Sequence, residues 1–486
     1  MKKINGSNII LLSIIVLAFI LRMIKISSLS LWLDEAVNVQ MAEKSFFQWT
    51  FVVPPLYNMA LHFALAFGKS EAIVRFPSVI FGVLSIFAIY KIGLILYGKK
   101  EALISAFLLS ISPTAIEYSI QATYYSLVFF LSLASIYFYL RMEEKPTNLN
   151  KILFLVFLVF AFYTHYFTLI LLFVLIIFKL WTCKRDKKDI KETKSFFVLV
   201  GIYFLLIAPI LLEYLSNPFK NSGTSYITFA SQTQISVNFM QEIINFLILS
   251  PVYEKTSILP LIIMGFVLYG VYSSLDYFEN SITLLTFWLF LPIVFAAILT
   301  PFIANLQIRY LLFILPALFL ISSRGITAIP EGINHLSKKI RSPGIETKER
   351  IKFDSLPIIF VLIIISLLTV PILNDFYNHF EDFQWRGTAE FLQNNAEDGS
   401  NIILVPGYNI IPFNYYYIEN NNTRIIEYST FNEFLNLTNK NNTYVVVTDD
   451  AYALDPNEVN KLSTFVSNNT KLIAQFPSVY IFKLNR

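Results

Sequence analysis

Two adjacent carboxylates, Asp34 and Glu35, are the residues of this sequence best suited to chemistry. They follow the first long apolar segment, residues 8–24, and therefore lie at the mouth of a predicted membrane helix. A carboxylate there is costly to dehydrate and can take a proton from a hydroxyl group, which makes it a functional candidate. A solvated helix end, where Asp and Glu are common, explains the pair equally well.

Further candidates are polar residues that the predicted topology brings to the same face as these carboxylates. An arginine such as Arg309 can bind a departing phosphate through two parallel hydrogen bonds. Charges of both signs suit an anionic amphiphile whose tail stays in lipid. No cofactor is required by the sequence, although Asp34 and Glu35 with a histidine would bind a divalent metal. The full set is Asp34, Glu35, Tyr57, His62, Arg75, Glu117, Gln121, His165 and Arg309.

Most of these side chains also have a purely structural explanation. Arg309 fits a residue that extends from a helix end to the membrane surface. Arg75 is one turn after Glu71, with which it can pair. His165 fits a hinge and His62 the core of a short helix. The sequence contains no P-loop, G-x-G-x-x-G or H-E-x-x-H motif that would decide between the two interpretations.

The composition excludes a soluble protein. Of the 486 residues, 56% are hydrophobic and 16% aromatic, whereas only 14% are charged and these cluster between apolar runs. This pattern is typical of a multi-pass membrane protein, and we expect lipid rather than nucleic acid around it. The single cysteine, Cys183, excludes an intramolecular disulfide and a multi-cysteine metal site.

Eleven apolar segments are long enough, or nearly so, to cross a membrane. The division at Thr164-His165-Tyr166 is the weakest. The segments are 8–24, 73–97, 102–120, 122–141, 151–165, 166–182, 195–215, 257–275, 281–301, 308–326 and 356–373.

Basic residues fix the predicted orientation. With the amino terminus inside, Lys and Arg concentrate in inner loops such as 183–194 and 327–355, and only the loop 276–280 contributes nothing. The apolar run 55–67 is too short to span, and counting it would move the basic loops outside. We therefore predict that residues 25–72 form an outer cap of interfacial helices.

An odd number of spans places residues 374–486 outside the cell membrane. There, Asn and Asp rise and short apolar runs alternate with helical patterns, which predicts a small extracytoplasmic α/β domain. Sequons at Asn421, Asn436, Asn441 and Asn468 fit an outer surface. The fold class is thus an α-helical polytopic membrane domain, 1–373, followed by this α/β domain. The predicted strands are 401–405, 444–448 and 479–484, and the predicted helices are 387–395 and 456–466.

Six stretches, in order along the chain, resemble the GT-C fold glycosyltransferases of the family 39-like branch, which includes protein O-mannosyltransferases. They cover most of residues 1–410. The stretches are LWLDEA, PPLYNMALHFALAFGKSEAIVRFPSVIFG, SPTAIEYSIQATYYSL, FYTHYFTLILL, IRYLLFILPAL and DFQWRGTAEFLQNNAEDGSNIILV.

The resemblance implies roles for particular residues. The acidic residue of the first loop, proposed in the family as catalytic base or metal contact, corresponds to Asp34, and the phosphate-side arginine corresponds to Arg309. One stretch departs from the pattern. Where the family has an acid and an arginine, this chain has Gln121 and Thr123, a paired loss that is electrostatically consistent because neither partner is stranded.

The sequence therefore predicts an inverting membrane glycosyltransferase. Its donor would be a polyprenyl-phosphate sugar, of mannose-like type, and its acceptor a hydroxyl of a glycolipid, glycan or protein at the outer face. One alternative is a lipid or glycan transporter, which predicts charges deep within the spans. The other is a non-catalytic glycolipid-binding relative, which only the changes at Gln121 and Thr123 favour.

Overall fold

The structure is a computed structural model of the chain, and among the residues that it describes fifteen α-helices precede the C-terminal domain. It describes residues 6–44, 55–186, 190–216, 239–249, 256–275, 279–299, 307–340, 355–379, 383–418, 423–438 and 442–485. The helices are α1 (Gly6–Met23), α2 (Leu33–Glu43), α3 (Pro55–Leu65), α4 (Glu71–Leu96), α5 (Lys99–Ile111), α6 (Pro113–Glu117), α7 (Tyr125–Glu144), α8 (Asn148–Thr164), α9 (Leu169–Asp186), α10 (Ile190–Ser216), α11 (Phe239–Leu249), α12 (Leu259–Ser274), α13 (Glu279–Leu299), α14 (Leu315–Ile340) and α15 (Leu356–His379).

Eight of the described helical segments are long and apolar enough to cross a membrane, and α8 and α12 are shorter apolar helices. Their outward surfaces carry exposed large apolar residues such as Leu205 and Phe360, as expected where lipid replaces water. The predicted polytopic helical class is confirmed. The predicted count of eleven spans is not confirmed.

The predicted span 102–120 is wrong as one continuous helix. Helix α5 ends at Ile111, and α6 begins after Ser112. Pro113 is the cause, because proline lacks an N–H and favours an extended residue before it. The Ser112 hydroxyl accepts a hydrogen bond from Ala115 N and caps the new helix.

Other boundaries follow or correct the sequence predictions. The division at His165 is present, since α8 ends at Thr164 and a 3-10 helix, Tyr166–Thr168, leads into α9. The segment predicted as 308–326 begins as a 3-10 helix, Ile308–Ile314, and α14 continues to Ile340, beyond the predicted start of the inner loop at 327. Helix α11 lies within residues 216–256, which were predicted as loop.

The C-terminal α/β domain, residues 383–485, is called the outer domain after the side of the membrane predicted for it, and it is built on a five-stranded sheet in the order β2-β1-β3-β5-β4. Strands β1, β2 and β3 are parallel, and β5 is antiparallel to both β3 and β4. The predicted α/β class is confirmed, although Arg424–Glu427 and Thr470–Phe476 were not predicted as strands. The elements are β1 (Asn401–Val405), β2 (Arg424–Glu427), β3 (Thr443–Thr448), β4 (Thr470–Phe476), β5 (Val479–Leu484), α16 (Trp385–Asn395), α17 (Ile410–Tyr416), α18 (Phe431–Thr438) and α19 (Pro456–Asn469).

Helices α2 and α3 of the first loop lie between the membrane helices and the outer domain. Tyr57 and Leu61 of α3 are buried with Val39 of α2 and Val74 of α4, and Tyr416 of α17 packs against the same cluster. Apolar burial on both sides fixes α2, and with it the two adjacent carboxylates.

Candidate active site

Glu35 forms a buried ion pair with Arg75. The Arg75 Nε donates to Glu35 Oε1 and the Nη2 to Oε2, both at 2.7 Å. The two side chains are 1% and 2% exposed. Glu35 also accepts hydrogen bonds from Ala122 N (2.6 Å) and Trp32 N (3.3 Å). Its charge is therefore fully compensated, which a buried carboxylate requires.

Arg75 also holds the chain that leads to the carboxylates. Its Nη1 donates to the carbonyls of Ile26 (2.9 Å) and Leu29 (3.0 Å), and its Nη2 donates to that of Ser30 (3.0 Å). The alternative that Arg75 pairs with Glu71 is wrong. Because its guanidinium is committed to Glu35 and three carbonyls, Arg75 positions the first loop, and we do not assign it to the phosphate.

Asp34, one residue before Glu35, is oriented differently. Its Oδ2 lies 3.2 Å from the Nη2 of Arg309, and the two side chains are 37% and 20% exposed. The two residues singled out for base and phosphate binding are thus in direct contact. A partly exposed ion pair is weak enough to exchange partners when a ligand enters.

Aromatic rings surround the Arg309 guanidinium. Its central carbon lies 5.4 Å from the ring centres of both Trp32 and Tyr125, which is cation–π distance. Its Nε is buried and has no hydrogen-bond partner. The alternative of an arginine that reaches along a helix to the membrane surface does not explain these contacts. Arg309 instead has aromatic rings around its guanidinium and one donor, Nε, that is not used in a hydrogen bond.

Although 37% of the Asp34 side chain is exposed, the surrounding protein removes part of the hydration of its charged form, which raises the pKa of the carboxyl above its ordinary value. The neighbouring guanidinium of Arg309 opposes that shift, and the charge of Glu35 reinforces it. A general base works best when its pKa is close to the working pH. The environment of Asp34 therefore moves the pKa of its carboxyl toward the working pH.

The turn that carries Gln121 and Thr123 is joined to α2. Ala122 donates its N–H to Glu35, and its carbonyl accepts from Asn38 Nδ2 at 3.1 Å. Gln121 Oε1 and Thr123 Oγ1 are buried without a hydrogen-bond partner. Unpaired buried polar atoms are rare in folded proteins and call for an explanation such as a bound ligand. The two residues that depart from the family pattern therefore lie beside the site.

The remaining candidates lie around this centre. Tyr57 is fully buried and bonds to the Ser78 hydroxyl at 2.8 Å. His62 Nδ1 bonds to the carbonyl of Ala42 at 2.6 Å and so joins α3 to α2. His165 packs against Tyr310, with ring centres 4.7 Å apart. Tyr57 and His62 have structural roles in this geometry, whereas His165 is beside the residue that follows Arg309.

Glu117, on α6, is buried directly before Tyr118. Tyr118 packs against Tyr125, whose ring faces Arg309, with ring centres 5.2 Å apart. Glu117 therefore lies next to the aromatic residues of the site.

The donor set does not fit a metal at Asp34 and Glu35. Both oxygens of Glu35 are engaged by Arg75 and backbone N–H groups. Across the part of the chain that the structure describes, no group of three His, Cys, Asp or Glu side chains has the spacing of a metal site.

The comparisons with known proteins agree with this architecture. Residues 52–212 match the family model of dolichyl-phosphate-mannose-protein mannosyltransferases. ArnT from Cupriavidus metallidurans in the apo state superposes with a TM-score of 0.64 at 12% identity, over 99% of this chain and 98% of that one. The chain has the GT-C fold. The family resemblance predicted from the sequence is confirmed.

Two further GT-C structures are similar. The oligosaccharyltransferase of Archaeoglobus fulgidus has a TM-score of 0.59 at 11% identity, over 98% of this chain and 74% of that one. ArnT from C. metallidurans bound to undecaprenyl phosphate has a TM-score of 0.56 at 11% identity and covers 98% of each chain. No curated protein sequence matches the chain significantly.

Sequence reasoning missed the aromatic residues around Arg309. Trp32 precedes Asp34 by two positions, and Tyr125 closes the run Ala122-Thr123-Tyr124-Tyr125. Tyrosine is frequent throughout this chain, so its presence gave no signal. Trp32 was easier to notice, because the chain has only five tryptophans.

Proposed function

We propose that this GT-C protein is a membrane glycosyltransferase that takes a sugar from a polyprenyl-phosphate donor. A hexose of mannose type and an acceptor hydroxyl on a glycolipid, glycan or protein are the substrates we favour. The observation that carries the proposal is the contact between Asp34 and Arg309 beside aromatic rings. It combines a proton acceptor with a phosphate-binding cation.

The reaction uses these two charges in turn. The donor phosphate replaces Asp34 as the partner of Arg309, and the free carboxylate then faces the acceptor hydroxyl. The hydroxyl oxygen attacks the anomeric carbon as its proton passes to Asp34, and the bond from that carbon to the phosphate oxygen breaks. Negative charge grows on the departing polyprenyl phosphate, where the guanidinium stabilises it. Attack opposite the leaving group inverts the anomeric configuration.

Proteins of the same fold support this choice of donor. ArnT from C. metallidurans binds undecaprenyl phosphate, and AglB from A. fulgidus binds dolichol phosphate together with an inhibitory peptide. Both ligands are long-chain lipid phosphates. In this chain, the membrane helices have exposed apolar surfaces that would accommodate a lipid tail, and the partly exposed Arg309 would bind its phosphate.

Kinetics of an Arg309→Lys variant test the phosphate role. Lysine keeps the charge but cannot form the paired hydrogen bonds of a guanidinium. We expect kcat to fall more than the donor KM rises, because these bonds strengthen as charge develops in the transition state. Wild-type values for both constants would remove Arg309 from the mechanism.

The proposal places the site and the outer domain outside the cell membrane, since basic residues concentrate in loops of the opposite side. Cysteine labelling in intact cells tests this orientation on a Cys183→Ser background. Lys184→Cys on α9 and Ser463→Cys on α19 introduce thiols at exposed positions. An impermeant maleimide should label only Ser463→Cys in intact cells and both variants after lysis. Labelling of Lys184→Cys in intact cells would show that the protein has the opposite orientation.

A further inference from the structure

The outer domain contacts the segment between α1 and α2, whose carbonyls Arg75 also binds. Arg386, in the first turn of α16, donates from Nη2 to the carbonyl of Ser27 at 2.9 Å. Its backbone N–H donates to the Ser30 hydroxyl at 3.2 Å. The hydroxyl of Tyr416, at the end of α17, accepts a hydrogen bond from Leu31 N at 2.8 Å. Leu31 is three residues before Asp34.

Glu71 joins the two outer-domain residues. Its Oε1 accepts from the Tyr416 hydroxyl at 2.9 Å and also pairs with the Arg386 guanidinium. Glu71 is only 8% exposed and lies one turn before Arg75 on α4. Helix α4 therefore carries both Arg75, which pairs with Glu35 of the first loop, and Glu71, which pairs with Arg386 of the outer domain.

The segment between α1 and α2 depends on these contacts for its shape. Residues 24–32 form neither helix nor strand, so most of their carbonyls lack the partners that regular structure supplies. Arg75 binds three of those carbonyls, at Ile26, Leu29 and Ser30, and Arg386 binds that of Ser27. The backbone that leads to Asp34 is thus fixed from both domains.

From this geometry we infer that Arg386 and Tyr416 are positioning residues for Asp34, so that the outer domain completes the catalytic site of the membrane domain. The inference rests on the proposed function for its kinetic consequence, but its structural content does not. Displacing a catalytic group by about 1 Å can cost on the order of 100-fold in rate. Contacts that hold the loop in place therefore affect catalysis without touching the substrate.

The neighbouring Tyr415 provides a matched control. Its hydroxyl donates to the carbonyl of Lys69, across the same interface but outside residues 26–31. Tyr416→Phe and Tyr415→Phe each remove one hydroxyl from adjacent rings of α17. Only the Tyr416 hydroxyl contacts residues 26–31, the segment that leads to Asp34.

Transfer kinetics on the purified full-length protein in lipid nanodiscs give the first readout, with polyprenyl-phosphate mannose as donor. We expect Tyr416→Phe to lower kcat about 10- to 100-fold with little change in donor KM, and Tyr415→Phe to stay within about twofold of wild type. In an Asp34→Asn background, Tyr416→Phe should have little further effect, because residues that act through one another are not additive. Equal losses of kcat in both tyrosine variants, or full additivity with Asp34→Asn, would show that Tyr416 only docks the two domains and does not position Asp34.

Amide hydrogen exchange gives a readout that needs no activity. Peptides covering residues 26–35 should exchange about 3- to 10-fold faster in Tyr416→Phe, since a net hydrogen bond is worth about 1 kcal/mol. Tyr415→Phe should leave them unchanged. If the wild-type protein transfers no sugar, the proposed function fails while this result still tests the positioning. Unchanged exchange in Tyr416→Phe would overturn the inference.

Discussion

Replacing Asp34 with Asn should change catalysis and lipid binding in opposite directions. Asparagine keeps the shape of the side chain but removes the base, so kcat should fall by roughly 100-fold or more. The same change frees Arg309 from its present partner, 3.2 Å away. Because the pair is partly exposed, we take its strength as about 0.5–1 kcal/mol, which corresponds to a roughly two- to fivefold lower Kd for a phosphate lipid.

Isothermal titration calorimetry with farnesyl phosphate, a short-chain lipid phosphate, measures this gain on purified protein in detergent. The control is the same substitution made in an Arg309→Gln background, where the gain should disappear because the competing cation is gone. Weaker binding by Asp34→Asn would refute the exchange of partners at Arg309. Unchanged turnover would refute the role of Asp34 as base.

Two further predictions concern pH and packing. Because the pKa of Asp34 is raised, kcat/KM should decline on the acid side at a pH above ~4, the ordinary pKa of Asp. Arg309→Gln should move that decline to higher pH, and a decline at or below the ordinary value would contradict the assignment. On α12, Gly270→Ala should destabilise the protein by about 1–3 kcal/mol in thermal unfolding, since its Cβ would lie 2.1 Å from the Ile321 carbonyl oxygen. Gly265→Ala, with nothing within 4 Å, should not.

The apolar segments and the order of the six family-like stretches predicted the architecture well, because each of these signals depends on local sequence. Strand Asn401–Val405 and the hinge at His165 lie where the sequence indicated. Helix α11 was missed because it lies in a long segment between predicted spans. The break at Ser112 was also missed, since its apolar surroundings concealed the signal of Pro113.

The partners of the charged residues could not be predicted, because they depend on contacts between distant parts of the chain. Glu35 and Arg75 are forty residues apart, and Arg309 meets Asp34 only through folding. The sequence placed Asp34 and Glu35 side by side as catalytic candidates, and the family resemblance assigned the role of base to Asp34. In the structure Glu35 forms a compensated pair with Arg75, whereas Asp34 contacts the partly exposed Arg309.

The most direct test of the account follows the sugar and the lipid together by mass spectrometry. Purified protein in nanodiscs is given polyprenyl-phosphate mannose, with membrane extract from the source cells as acceptor. The wild type should release polyprenyl phosphate in step with a hexose gained by the acceptor, and Asp34→Asn should release almost none. Release that is independent of acceptor, or equal in the two proteins, would contradict a transferase built on Asp34 and Arg309.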